Sequence, residues 1–148
     1  MSLAEQISRD MRAAMKDRDR GRVGALRMLG AALKNGEIEA GRPLTEEEER
    51  VVLRRQLKQR EESVEAFRKA GREDQAQAEA TEAEIVRRYL PAPLSDEELI
   101  GIVDEAIAET GATSMRDMGA VMSRASARAG NRADGRRLSA LARERLQG

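Results

Sequence analysis

Apolar residues in this chain recur at intervals of three and four and almost nowhere alternate with polar ones, a pattern that restricts it to packed helices. Leu3, Ile7, Met11 and Met15 form one stripe; Val23, Leu26, Leu29 and Leu33 form a second; Leu53, Leu57, Val64 and Phe67 form a third. The available core residues agree. Phe67 and Tyr89 are the only aromatics among 148 residues, so the interior must be filled by Leu, Ile, Val, Met and Ala. No strand pattern competes, and the expected fold class is all-α.

Local signals place the helices. Ser2 and Glu5 are spaced as a capping box, and Asp17 to Gly21 ends the first helix. The second runs out between Asn35 and Gly41. Thr45 and Glu48 open a third, with Glu46 to Glu49 placing negative charge at the positive end of its dipole. These four carboxylates read as helix-start and surface charge. Gly71 suits a C-terminal cap. A fourth helix is expected from about Asp74 to Tyr89, its first half rich in Ala, Gln and Glu. Pro91-Ala92-Pro93 then removes two backbone donors and disfavours helix before each proline. The boundary is expected there, with a helical N-terminal domain of about four helices over residues 1–90 and a small helical C-terminal domain of about three over residues 94–148. Within the latter, Ser95 and Glu98 open one helix, and Thr110-Gly111 ends it. Ser114 opens the next, with Met115, Met118, Val121, Met122 and Ala125 inward. Asp134 opens the last.

The charges sum to zero, 27 basic against 27 acidic, so no bulk attraction to nucleic acid or anionic membrane is available. Only local clusters can supply one. Leu94 to Met118 holds seven acidic residues and one basic; Gly119 to Gly148 holds seven basic and two acidic. The basic set is Arg124, Arg128, Arg132, Arg136, Arg137, Arg143 and Arg145. Two readings are open. The arginines neutralise the acidic stretch before them, or their guanidinium forks form a phosphate-binding face. With no aromatics interleaved, such a face would grip the backbone and shape of a folded RNA and would not stack bases.

Catalytic machinery is hard to assemble. With neither histidine nor cysteine, the usual bases, nucleophiles and metal ligands are missing. No phosphate-cradling glycine loop occurs, nor the glycine- and serine-rich segment of an amidase. No catalytic residue, metal site or cofactor is therefore expected. Arg60 interrupts the third stripe. It is either snorkelling or paired with a buried carboxylate, or else it holds a ligand or partner in a cleft with Lys58 beside it. No apolar run approaches the roughly 20 residues of a membrane span, and the first residues lack a signal-peptide shape. Together with the absence of cysteine, this suggests a cytoplasmic protein.

Several stretches carry a family resemblance: Leu26-Arg27-Met28-Leu29, Leu57-Lys58-Gln59-Arg60-Glu61-Glu62-Ser63, Lys69-Ala70-Gly71-Arg72-Glu73-Asp74, Tyr89-Leu90-Pro91, Leu94-Ser95-Asp96-Glu97-Glu98-Leu99, Asp117-Met118-Gly119-Ala120-Val121-Met122 and Ala133-Asp134-Gly135. In this order they resemble the YqeY-like family. Its C-terminal region is similar to the tail domain of the B subunit of the aspartyl/glutamyl-tRNA amidotransferase. The resemblance implies two helical domains and a tail that grips tRNA while other subunits do the chemistry. It also implies association with an amidotransferase or a glutaminyl-tRNA synthetase, and brings a family-level label of carbon–nitrogen ligase activity with glutamine as amido donor. The amidotransferase's catalytic centre has no counterpart in this sequence. Between Met118-Gly119 and Asp134-Gly135 the chain is a few residues longer than the family pattern. The reading is thus a non-catalytic tRNA-binding accessory module, with Arg136 and Arg137 as leading contacts. The alternative is a helical protein–protein interaction module using the face from Gln75 to Ala83.

Overall fold

A computed structural model describes residues 1–147. Among them the secondary structure is seven α-helices and two short 3₁₀ turns, so the all-helical expectation holds. The chain divides into two compact units, Met1–Pro91 and Ala92–Gly148.

The first unit contains α1 (Leu3–Lys16), α2 (Arg20–Ala40), α3 (Glu46–Lys69) and α4 (Glu73–Arg87). α1 packs chiefly on α2 and α3 on α4, with α2 also meeting α3 and α4. Ser2 caps α1 and Asp19 caps α2, each side chain accepting the N–H three residues on. Thr45 and Glu48 close a full capping box at α3, whose first turn holds Glu46 to Glu49 and whose last turn holds Arg68 and Lys69. Gly71 turns the chain into α4 at φ +73°, a left-handed conformation that suits glycine. The core is built from Leu3, Ile7, Leu26, Leu29, Leu33, Leu53 and Val86.

The first stripe needs correction. Met15 is 53% exposed, and Ala14 is buried in its place. Steps of four overshoot the 3.6-residue turn by about 40° each, so by the fourth member the stripe has rotated off the core.

The second unit contains α5 (Asp96–Thr110), α6 (Met118–Ala129) and α7 (Gly135–Gln147). Ser95 and Glu98 close a second capping box, and Gly111 ends α5 in the left-handed region. Ser114 does not open α6 directly. It caps a single 3₁₀ turn, Met115–Asp117, and this leaves Met115 38% exposed where an inward side chain was expected. Leu99, Val103, Val121, Ala125, Leu138 and Leu141 form the core. Alanines at the helix contacts let the backbones approach closely, which is how a unit of this size fills its interior without aromatics.

Candidate functional site

The acidic-then-basic asymmetry of the second unit becomes a set of ion pairs radiating from α5. Arg137 on α7 forks onto Asp96, Nε to Oδ1 at 3.0 Å and Nη2 to Oδ2 at 2.7 Å. Arg145 does the same to Asp104 at 3.0 and 2.9 Å. From α6, Arg124 reaches Glu109 at 3.2 Å, and Arg128 binds both Glu105 and Glu109. The Arg137 fork holds Asp96 below its usual carboxylate range, and the hydrogen bonds to Asp96 raise Arg137 in return. All these pairs are at the surface, where water and salt screen them and they add little to stability. Their chief effect is to occupy four of the seven arginines.

The remaining three differ. Arg132 lies beyond the end of α6, so it does not continue the row of Arg124 and Arg128; its Nε donates to the Ala92 carbonyl at 3.1 Å. Arg136 and Arg143 are exposed on α7, and among the described residues neither side chain has a partner. They are seven positions apart and lie opposite the buried Leu138, Leu141 and Ala142, so they form one outward row. Asp134 is explained by structure alone. Its Oδ1 accepts the Arg136 N–H at 2.9 Å and its carbonyl accepts the Leu138 N–H at 3.0 Å, the arrangement of a helix N-cap.

In the first unit, Arg60 on α3 points at α4. Its Nε lies 3.2 Å from a Glu82 carboxylate oxygen and 3.7 Å from Glu79, and its Nη2 meets Met28 and Gln56. Burial and the adjacent Glu79 charge push the Glu82 carboxyl up, while Arg60 pulls it down. These contacts account for an arginine within an apolar stripe. Lys58 is exposed and is not brought into the same cluster. The Gln75–Ala83 face is partly consumed as well, since Ala76 and Ala83 are buried.

Sequence reasoning missed two polar residues. Glu49, read as surface charge, is 3% exposed and binds the backbone of α1. Asp10 accepts the Tyr89 hydroxyl across the first unit. Neither had a local signal. Among the described residues no cluster of three or more acidic, histidine or cysteine side chains could hold a metal ion, and no helix is long and apolar enough to cross a membrane.

Comparison with known proteins gives the family context. A family model described as "Yqey-like protein" matches residues 4–146. A protein of Clavispora lusitaniae named "Altered inheritance of mitochondria protein 41, mitochondrial" is 33% identical over 100 residues, covering 66% of this chain and 58% of that protein. A protein of the same name from Eremothecium gossypii is 32% identical over 110 residues, covering 72% of this chain and 60% of its own length. The chain thus spans less than two thirds of the curated relatives it matches. Their printed names overturn the expectation of a cytoplasmic protein. The physical reason is that the lack of cysteine and of a membrane-length apolar run suits many compartments and carries no address.

Proposed function

The chain belongs to the Yqey-like protein family, and from that premise we propose that it is a non-catalytic accessory module that binds the phosphate backbone of folded tRNA through its C-terminal unit. The proposed beneficiary is an enzyme of tRNA-dependent amidation or glutaminyl-tRNA synthesis. The observation that carries this reading is the outward row of Arg136 and Arg143. The other α7 arginines are tied to α5 carboxylates, whereas these two remain available for an external anion. A guanidinium presents a planar fork to phosphate and needs no base contact. The leading pair is therefore Arg136 with Arg143, in place of Arg136 with Arg137.

The test is binding of the full chain to tRNA(Gln), tRNA(Asn) and an unrelated tRNA at two salt concentrations. Affinity is expected to fall with salt through counterion release. Changing Arg136 and Arg143 together to alanine is expected to weaken binding about tenfold and lower the salt slope by about one per lost phosphate contact. Changing Arg137 and Arg145 should disturb the unit's own ion pairs and spare the RNA contact. Absence of binding at low salt would end this reading, and steady turnover of glutamine or ATP by the pure protein would replace it with an enzymatic one.

A further inference from the structure

Several arginines without a carboxylate partner among the described residues surround α1 and the start of α2. Between α1 and α2 lies an open groove of about 420 Å³ whose accessible apolar floor is Ala4, Met11, Gly30 and Ala31, laid over the buried Ile7, Leu26 and Leu33, with Arg27 and Lys34 at its edge. At one end it continues through Arg27 into a hollow of about 430 Å³ that holds Met15, Arg18 and Arg20. On the outer flank of α1 a further hollow of about 460 Å³ shares Ala4 and Ser8 with the groove and is bordered by Arg9 and Arg12. The side chains lining these three adjoining hollows include six cations, Arg9, Arg12, Arg18, Arg20, Arg27 and Lys34, against two carboxylates, Glu5 and Glu37, for a local side-chain charge of plus four. Lys34 is 3.8 Å from Glu37. Among the described residues the five arginines have no carboxylate partner. Asp19, in the turn between the helices, is engaged in capping α2.

Two further features suit an incoming helix. Met15 is 53% exposed and stands beside Met11 on α1, giving a flexible apolar surface able to repack against a partner. Gly24 and Gly30 sit within α2 although glycine weakens a helix, and a Cβ at either position would meet nothing within 4 Å. Packing inside this chain does not require them, whereas close approach by another backbone would use the space. The groove follows α1, whose 14 residues extend about 21 Å, enough to seat several turns of helix.

We propose that the α1–α2 seam binds an acidic amphipathic helix of a protein partner. The apolar floor would take its hydrophobic anchors and the flanking arginines its carboxylates, the helix-in-groove mode of recognition. The apolar floor and the absence of aromatics favour a peptide over nucleic acid. This surface lies on a different unit from the proposed RNA contact, so the two readings stand or fall separately.

The experiment uses the full chain and a fluorescent helical peptide as long as α1, leucines on one face and glutamates on the other. A scrambled peptide of the same composition is the control. Anisotropy should show at least about tenfold preference for the amphipathic peptide, weakening with salt. Methyl signals of Met11 and Met15 should shift on binding, while those of Met115, Met118 and Met122 stay in place. Arg20→Glu with Arg27→Glu should abolish the preference, and Gly30→Leu should block the groove without changing charge, neither with a lowered thermal midpoint. No preference over the scrambled peptide, or equal binding by the charge-reversed variant, would overturn the proposal. So would a structured RNA or a second copy of the chain shifting the same methyls while the peptide does not.

Discussion

The Glu49 carboxylate, on the first turn of α3, accepts the backbone N–H of Ala4 at 2.8 Å, so a side chain 45 residues away caps α1. Its other oxygen accepts the Leu3 N–H at 3.2 Å. The first N–H groups of a helix lack internal partners and carry its positive dipole end, so a buried carboxylate there is satisfied without a cation. Replacing Glu49 with leucine should destabilise the protein by about 2–3 kcal/mol, because two buried donors lose their acceptor. Glutamine should cost less, since it keeps one oxygen. Urea unfolding reads both, and a loss below about 0.5 kcal/mol for the leucine variant would show that Glu49 is no cap.

Tyr89 offers a direct spectroscopic check. Burial, followed by its hydrogen bond to the Asp10 carboxylate, pushes the phenol up to about 12, with Arg22 pulling the other way. It is the only tyrosine, so ultraviolet titration of phenolate reads this group alone. The folded value lies above the ordinary value of 10.0, so its contribution to stability is intact below that pH and is lost as pH rises towards about 12. Tyr89→Phe should cost about 1–1.5 kcal/mol near neutral pH and remove this alkaline sensitivity. An ordinary titration near 10 would break the link to Asp10.

Arg60 stands between two carboxylates, so its removal leaves Glu79 and Glu82 facing each other without a counter-charge. Arg60→Ala should destabilise by about 2 kcal/mol at neutral pH, from the uncompensated partly buried charge. The pH dependence fixes the cause. Glu82 already titrates above its usual 4.5, and losing Arg60 raises it further. A raised carboxyl costs stability above its folded value and recovers it as pH falls, so the mutant's deficit should shrink between neutral pH and about 4.5. A deficit independent of pH would assign the effect to lost packing.

Two glycines should respond oppositely to the same methyl group. Gly24 has helical backbone and open space around its Cβ position, so Gly24→Ala should stabilise by about 0.5–1 kcal/mol. Gly111 ends α5 at φ +67°, a conformation unfavourable to alanine, so Gly111→Ala should destabilise by about 1 kcal/mol. Thermal midpoints of the two variants give the comparison, and shifts of the same sign would contradict it.

The local signals were legible because they act over one turn of chain. Thr45 with Glu48 and Ser95 with Glu98 are capping boxes in space as they are in sequence, since cap and acceptor are three residues apart. The same locality produced the errors. Ser114 carries the capping pattern, yet a short 3₁₀ turn satisfies it as well as an α-helix does. Arg124, Arg128 and Arg132 have the spacing of one helix face, but α6 stops at Ala129.

By itself, the sequence determined an all-helical chain and the lengths of most of its helices, because apolar period, caps and breakers are short-range physics. It also determined that charge would be unevenly placed along the chain. Only the tertiary structure decided which charges were spent internally. Arg137 lies 41 residues from Asp96 and Glu49 lies 45 from Ala4, separations over which no local pattern specifies a partner. Among the described residues, folding therefore left Arg136 and Arg143 unpaired on α7 and five arginines without carboxylate partners around α1 and the start of α2, a division set by how the helices meet.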